Sequence, residues 1–418
     1  MVTLVTLLWV FSSFDSTPRW FGPIEEGTEG VLRVVLACAC LAGIALTLRL
    51  GLDLGRLLRA SPAFWLLVGL AGLSCVWSSR PLVSLHSVAA LLAAALLGYL
   101  MHRRLSLQQL VKLIAWVMGG MVLVSLVAVL VVPDLAIHDQ ASLKGSWRGL
   151  GIRASLSEGA LIPGHRNQFG MFVVLEMMAL LLMVGWCDGR SRLIALALLP
   201  LMVLLLQPIG SATAFVLVTL VVLVAALAWL SERRRAWRAP ALVSMALMPA
   251  VAFIGRVPLT GVLDRSPSLT RRTEIWEHMA DVVMRRPLLG YGYGLQWTRV
   301  PELEADLLQH GRPWQASIHS GYVSWAFWLG IVGAVLLVVL LLLLLWSASS
   351  RFLEGEPGLE RVFPLMLLLV LLVAAIPESR MLSGANYFTV LFAFLAFHLR
   401  DTGASGVSPP VETTASMD

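Results

Sequence analysis

The stretch Gly333–Trp346, GAVLLVVLLLLLLW, is apolar on every face of a helix, a pattern typical of a helix surrounded by lipid or protein and not by water. Blocks of about twenty apolar residues recur along the 418-residue chain, and each is long enough to cross a bilayer. Hydrophobic residues make up 58% of the chain and charged residues 13%, about half the charged fraction of a soluble protein. The pattern predicts an all-α integral membrane protein and excludes a globular domain carried by a single anchor.

The apolar blocks predict about twelve transmembrane helices in one polytopic membrane domain, residues 1–400, followed by a disordered tail, residues 401–418. The first block has no basic n-region and no small-residue cleavage site, so it is interpreted as a span and not as a removed signal peptide. The predicted spans lie near residues 2–14, 31–47, 62–77, 82–100, 110–132, 167–186, 192–209, 212–230, 241–255, 321–347, 362–376 and 385–398.

The distribution of basic residues predicts the orientation. With the N-terminus inside, the short cytoplasmic segments hold 15 basic residues and the short outer connections hold 4. Cytoplasmic loops carry the excess of Lys and Arg in membrane proteins. We therefore expect both termini of the chain to be cytoplasmic.

The remaining 12 basic residues lie in two longer outer loops, residues 133–166 and 255–320. They indicate an anionic ligand at the outer membrane surface, whereas the net charge of +6 is no sign of nucleic-acid binding. Within the second loop, residues 269–287 place apolar side chains at helical spacing opposite charged ones. This pattern predicts an amphipathic helix at the membrane interface, between spans nine and ten.

The cysteine and histidine spacings indicate no structural metal. The four cysteines form no CxxC pair, and no His/Cys cluster has the spacing of a zinc site. The sequence therefore predicts neither a disulfide framework nor a metal or other cofactor.

Two groups of side chains near the outer ends of spans are candidates for chemistry. His319, at the start of the tenth span, is the side chain best suited to accept a proton near neutral pH, although a polar residue at a span end can also be purely structural. Arg271 and Arg272 open the interfacial helix, where they could hold phosphate oxygens or anionic lipid headgroups. A lipid diphosphate satisfies both interpretations.

A third group stands at the start of the sixth span. His165, Arg166 and Asn167, followed by a further polar residue, exceed what a helix cap requires and are candidates for binding. Ser211 and Thr213 mark the outer turn between spans seven and eight. Glu176 lies deep in the sixth span, where a carboxylate must face the bundle interior, and a structural role is favoured over direct catalysis.

These groups occur in an order that resembles the O-antigen ligase and polymerase superfamily of bacterial membrane glycosyltransferases. Ligases of that family show His, then Asn, Ser or Gln, nine residues, Gly, two residues, and Gly, Thr or Tyr. Here His319-Ser320 is followed after nine residues by Gly330 and, two residues later, by Gly333. The match lies on the expected span after the expected loop.

Other motifs extend the resemblance over about residues 160–400. The stretch RTEIW at residues 272–276, followed by RPLLGYGYG at 286–294, is similar to the family's Arg, Trp and Pro-Leu-Leu-Gly pattern. HRNQFG at 165–170 resembles the His-Lys-Asn element of exopolysaccharide polymerases, and GSAT at 210–213 resembles their Ser-x-Thr element. The chain departs from ligases at Ala212, where they often carry an arginine.

The resemblance implies glycosyl transfer without a metal at the periplasmic face, from a glycan on undecaprenyl diphosphate to a sugar hydroxyl of an acceptor glycan or of lipid A–core. His319 would act as the general base, and Arg271, Arg272 and Arg166 would hold the diphosphate. The further candidates for substrate binding are His165, Asn167, Ser211, Thr213, Trp276, Ser320 and Tyr322. Membrane lipids are expected partners, and a chain-length regulator is compatible with this scheme.

The sequence leaves several functions open. Polymerisation of lipid-linked exopolysaccharide or O-antigen repeat units is favoured by the motifs at 165–170 and 211–213, whereas the histidine motif also fits a ligase that attaches polymer to lipid A–core. A ligase that acts on protein is a third branch. A secondary transporter or flippase is the competing class, but it would need more ionisable residues within the spans than Glu176.

Overall fold

A computed structural model describes residues 54–131, 137–138, 149–150, 166–187, 189–209, 211–254, 272–303 and 317–400. The predicted spans at 2–14 and 31–47, the tail, and most of both long outer loops lie outside these residues. The described part is almost entirely helical. Its helices are α1 Leu54–Ala60, α2 Pro62–Leu73, α3 Pro81–Arg104, α4 Leu107–Val131, α5 Arg166–Trp186, α6 Gly189–Ile209, α7 Ala212–Arg233, α8 Arg238–Ile254, α9 Arg272–Arg285, α10 Gly321–Glu354, α11 Leu359–Ala374 and α12 Tyr387–Arg400.

Membrane-spanning character follows from helix length and apolar composition. Among the described residues, six helices are long and apolar enough to cross a bilayer, namely α3, α4, α5, α6, α7 and α10. Shorter apolar helices cover Pro62–Val76 and Tyr387–Arg400. The chain is therefore a multi-pass membrane protein, and the total of twelve spans stays a prediction. The connection between α4 and α5 also contains a short antiparallel ladder, β1 Ile137–His138 with β2 Gly149–Leu150, which the sequence did not predict.

Three helices form the centre of the bundle. Every residue from 167 to 180 in α5 and from 361 to 371 in α11 is buried, and α12 is buried along nearly its whole length. A helix that is apolar on all faces is stable in such a position because it exposes no polar face that needs water. By contrast, α6 leaves Leu193 and Leu204 more than two-thirds exposed, as expected of side chains that face lipid.

The one carboxylate within a central span is enclosed by the bundle, as the sequence predicted. Glu176 is 1% exposed, and its carboxyl group lies against Gly119 of α4. A side chain at residue 119 would occupy the space that the Glu176 carboxyl now fills. Glu176 lies well away from the N-terminal end of α5, and its carboxyl fills the space between α4 and α5.

Helix α10 cannot be straight, because it is hydrogen-bonded near both ends to the much shorter α11. The N–H of Gly321 donates to the carbonyl of Ala375 at 2.8 Å, and Arg361 donates to the carbonyl of Phe352 at 3.3 Å. Residues 321–352 would extend about 46 Å as a straight helix, against about 21 Å for residues 361–375. The long side chain of Arg361 is too short to make up this difference, so α10 must change direction.

The change of direction occurs at Gly330, where φ is 60° and ψ is −158°, a conformation that is essentially restricted to glycine. The N–H of Tyr291 donates to the carbonyl of Phe327 at 3.1 Å. The N–H of Ile331 donates to the carbonyl of Pro287 at 2.7 Å. The loop of residues 287–292 thus supplies hydrogen-bond partners for the backbone groups freed at the break, as a broken membrane helix requires.

We expect Gly330→Ala to destabilise the fold strongly. A Cβ at Gly330 would lie 2.4 Å from the carbonyl oxygen of Leu288, and the backbone conformation adds a cost of its own, of order 1–3 kcal/mol. The matched control is Gly69→Ala in α2, where a Cβ would meet nothing within 4 Å. Thermal unfolding in detergent should show a clearly lower midpoint for Gly330→Ala only; equal midpoints for both variants would contradict this explanation of the motif glycine.

Candidate functional site

Glu378 stands at the centre of a polar cluster at one end of the bundle, in the connection between α11 and α12. Its Oε1 accepts a hydrogen bond from Nδ2 of Asn167 at 2.8 Å and lies 3.5 Å from Nη2 of Arg272. Its Oε2 lies 3.9 Å from Nε of Arg380. A carboxylate with only 8% exposure needs such donors and cations to offset the loss of water.

The N-termini of four helices converge on this cluster. Asn167 is the second residue of α5, and Arg272 is the first residue of α9. Ser211 is the N-cap of α7 and donates its hydroxyl to Oδ1 of Asn167 at 3.0 Å. Ser320 is the N-cap of α10, and its N–H donates to Oγ of Ser379 at 3.0 Å, one residue from Glu378. Each helix N-terminus carries a partial positive charge, so the four together favour an anionic ligand.

Burial strengthens the electrostatic effect of Arg272. Loss of water lowers the pKa of its guanidinium, and the charge and hydrogen bond of Glu378 act in the opposite direction. An arginine keeps its charge under such conditions. Arg272 therefore presents a partly desolvated cation that would bind a phosphate oxygen more strongly than a fully hydrated cation could.

His319 directly precedes the N-cap of α10 and has an unusual backbone conformation. Its φ is +53°, in the left-handed region that residues other than glycine seldom adopt. Two contacts hold this turn: the N–H of His319 donates to Oγ of Ser317 at 3.3 Å, and Nε1 of Trp276 donates to the carbonyl of Ile318 at 3.0 Å. Helix α9 thus supplies Arg272 and also fixes the peptide that carries His319. The ring is only partly buried, so a ligand can reach it.

A close contact between α5 and α7 sets the position of Asn167 against Ser211. Gly170, one turn further along α5, faces α7 so closely that a Cβ would lie 2.8 Å from that of Ala214 and 3.3 Å from that of Ser211. A side chain at residue 170 would therefore push the two helix N-termini apart. This accounts for the glycine that ends the motif at residues 165–170.

The structure brings together six of the residues that the sequence singled out: Asn167, Ser211, Arg272, Trp276, His319 and Ser320. Thr213 is the second residue of α7 and is partly buried. Tyr322 points its hydroxyl into the bundle, where it donates to the carbonyl of Leu372 at 2.9 Å. Arg166 is the first residue of α5, but its side chain lies outside the described part, as do His165 and Arg271.

Two residues of the cluster were not identified from the sequence. Arg380 was counted only as one of four basic residues in short outer connections, and Glu378 was not considered. The available signal was the sequence Pro377-Glu378-Ser379-Arg380, an acid and a base two residues apart in a short connection between two apolar spans. Charged residues between two apolar spans indicate a polar site, in which a further polar group from another segment contacts them.

Gln168 is a further polar residue of α5. It is 1% exposed, and neither its Nε2 nor its Oε1 has a hydrogen bond within the described part of the chain. Each residue turns a helix by about 100°, which places Gln168 between Asn167 and Phe172 on the surface of α5. Phe172 contacts the ring of Tyr387, whose hydroxyl accepts a hydrogen bond from Arg380 at 3.4 Å. The face of Gln168 is therefore directed towards the Glu378–Arg380 side of the cluster.

We expect Gln168→Met to raise stability and to lower activity. Methionine has a similar length and no polar atoms, so it removes a buried amide whose missing hydrogen bonds cost about 1–3 kcal/mol. Because we expect the amide to bind a ligand hydroxyl, activity should fall by about tenfold or more. Unfolding midpoints and activity of the same preparation test both effects. A variant with wild-type activity would show that the amide does not contact the ligand.

One comparison with known families covers part of the cluster. A search of curated proteins finds none that matches this chain. A family model described as O-antigen ligase matches residues 177–338, a stretch that contains Ser211, Arg272 and His319 but neither Asn167 nor Glu378. Over residues 177–338 this membrane protein is therefore similar to the O-antigen ligase family.

Proposed function

We propose that the chain is a glycosyltransferase that moves a glycan from undecaprenyl diphosphate to a sugar hydroxyl at the periplasmic face of the bacterial inner membrane. The observation that carries this proposal is the convergence of four helix N-termini and two arginines around Glu378, next to His319. Both termini of the chain would lie in the cytoplasm. The O-antigen ligase family supports a lipid-linked glycan as substrate and a membrane as surroundings.

In the proposed reaction, the acceptor hydroxyl attacks the anomeric carbon of the donor sugar. His319 takes the proton of that hydroxyl while the bond from the anomeric carbon to the diphosphate oxygen breaks. The leaving undecaprenyl diphosphate carries the negative charge away, and Arg272, Arg380 and the helix N-termini stabilise that charge. Attack from the side opposite the diphosphate inverts the anomeric centre.

Glu378 is a positioning residue in this scheme. It holds Arg272, Arg380 and Asn167 from three different elements, so that the two guanidinium groups approach one region of space. An arginine carries five N–H donors, and Glu378 contacts one nitrogen of Arg272, so this guanidinium can also bind a phosphate oxygen. The arginines would thereby supply the charge stabilisation that a divalent metal supplies in other glycosyltransferases, and we expect activity to survive chelation of divalent cations.

Polymerisation of exopolysaccharide or O-antigen repeat units is the branch that we favour. Asn167 and Ser211, which belong to the two polymerase-like motifs, are hydrogen-bonded to each other at the centre of the cluster. Ala212 stands where ligases often have an arginine. The second candidate is a ligase that attaches polymer to lipid A–core, and the complete histidine motif from His319 to Gly333 favours it.

Glycan analysis of a deletion strain distinguishes these branches. A polymerase predicts loss of long polymer while single repeat units are still attached to their acceptor. A ligase predicts polymer that accumulates on undecaprenyl diphosphate, with bare lipid A–core. Unchanged polymer length and unchanged surface attachment would contradict both branches and favour the transporter class. A chain-length regulator as partner would appear as an altered length distribution when that partner is removed.

A further inference from the structure

At the end of the bundle away from the cluster, two turns rich in arginine are joined by a hydrogen bond. Nε1 of Trp186, at the end of α5, donates to Oε1 of Glu232 near the end of α7 at 2.9 Å. This bond places the turn between α5 and α6 next to the turn between α7 and α8. The two turns carry five exposed arginines, namely Arg190, Arg192, Arg233, Arg234 and Arg235.

Other arginines in this region are used by the protein itself. Arg238 donates to the carbonyl of Leu353 at 2.8 Å, and the fully buried Arg361 lies 3.4 Å from Oε1 of Glu232. Within the described part of the chain, the five exposed arginines make no ion pair with a carboxylate. Arg238 and Arg361 thus connect helices of the bundle, whereas the five exposed arginines face the surroundings of the protein.

Two tryptophans share the surface of the outward arginines. Trp229 and Trp237 are 52% and 45% exposed, which is unusual for so large an apolar side chain in water. The guanidinium of Arg233 lies 3.7 Å from the ring centroid of Trp229 and is thereby held in place. Tryptophan is enriched at the level of lipid headgroups, where one part of the ring meets acyl chains and the other meets water. This places the arginines at the depth of lipid phosphates.

Nearby carboxylates reduce the positive charge without cancelling it. Glu354 and Glu356 are exposed in the turn between α10 and α11, which contacts the same Glu232 through the N–H of Gly358 at 3.0 Å. Asp188 adds one acidic residue in the sequence before Arg190. Five arginines against these three carboxylates leave a net positive surface.

We propose that these two turns form a binding site for the phosphate groups of anionic phospholipids, in the leaflet opposite the Glu378 cluster. Arg233, Arg234 and Arg235 hold one phosphate against Trp229. Arg190 and Arg192, two positions apart on α6, point in nearly opposite directions, so one of the two holds a second phosphate. A lipid with two phosphates, such as cardiolipin, therefore binds more tightly than phosphatidylglycerol. Because the lipid joins turns at the ends of α5 and α7, it stabilises the pairing of the two helices whose other ends carry Asn167 and Ser211.

Native mass spectrometry of the purified protein measures this binding directly, with cardiolipin, phosphatidylglycerol and phosphatidylcholine as probes. A basic residue near the membrane surface contributes about 1 kcal/mol to the binding of anionic lipid, or about fivefold in affinity. The variant R233Q/R234Q/R235Q should therefore bind cardiolipin about a hundredfold more weakly. The matched control R103Q/R104Q, at the end of α3, should lose much less, and E354Q/E356Q should bind more tightly.

The outcomes separate lipid binding from folding and from glycosyl transfer. The unfolding midpoint of each variant without added lipid shows whether the bundle is intact; if the triple variant is unstable, W229L and R234Q/R235Q replace it. Equal cardiolipin affinity in the wild type and the arginine variants would overturn the proposal, and so would an equal loss in R103Q/R104Q. The assay contains no glycan donor, so its result is independent of the proposed reaction.

Discussion

Replacing His319 with asparagine should reduce glycosyl transfer by about a hundredfold to ten-thousandfold while the protein stays folded. Asparagine cannot act as a base near neutral pH, yet among residues other than glycine it tolerates a positive φ well. The choice of variant matters because His319 has a φ of +53°. Transfer of glycan in membranes from a complemented deletion strain measures the effect.

Two further variants separate catalysis from backbone strain. His319→Ala removes the base and also places an alanine in the left-handed region, so its unfolding midpoint should fall below that of His319→Asn. His278→Asn, on α9 beside Trp297, removes a histidine outside the cluster and should leave transfer unchanged. If His319→Asn retained full transfer, the proposed base would be wrong, whatever its effect on stability.

Neutralising Glu378 should cost both stability and activity. In Glu378→Gln, the guanidinium groups of Arg272 and Arg380 lose the carboxylate that lies within 4 Å of each. Removing one partner of a buried ion pair destabilises a protein by roughly 3 kcal/mol or more. We therefore expect a lower unfolding midpoint and a loss of transfer. Glu302→Gln is the matched control, because its exposed ion pair with Arg286 should contribute at most about 1 kcal/mol.

A double-mutant cycle distinguishes the structural and the catalytic parts of this cluster. Arg272→Gln alone leaves Glu378 with Arg380 and should be less destabilising than Glu378→Gln. In the double variant only Arg380 has lost its contact with the carboxylate, so the midpoint should lie above that of Glu378→Gln, with a coupling of about 0.5–3 kcal/mol. Its transfer rate should stay low, since the cation is still missing. Recovery of both midpoint and rate would mean that Arg272 serves the fold and does not contact the diphosphate.

The parts of the fold that the sequence predicted are those with a strong local pattern. An amphipathic helix was expected over residues 269–287, and a helix is found at Arg272–Arg285, with Ile275, Met279 and Val282 buried as its periodicity indicated. Its position at the membrane interface stays a prediction. Glu176 was expected to face the bundle interior and does so. Such features depend on the spacing of apolar residues along one segment, and that spacing is visible in a single sequence.

The parts that the sequence did not predict depend on contacts between distant segments. Glu378 is joined to Asn167 across 211 residues of the chain, and nothing in its own neighbourhood indicates that contact. The structural role of Gly330 was also not predicted. The sequence identified it as a motif position, but glycine is required there because the loop at residues 287–292 is hydrogen-bonded beside it. Tyr322 was a candidate for substrate binding. Its hydroxyl donates a hydrogen bond to a carbonyl of α11, a contact that its position in the motif did not predict.

Glycan transfer by the purified protein in nanodiscs tests the proposed reaction most directly, with lipid-linked glycan extracted from the deletion strain as donor. The wild type should lengthen or transfer the glycan and release undecaprenyl diphosphate in equal amount, in the presence of a metal chelator. The variants His319→Asn and Arg272→Gln should do neither at a comparable rate. Glycan transfer that proceeds unchanged in His319→Asn, or wild-type protein that releases no undecaprenyl diphosphate, would contradict the proposed reaction.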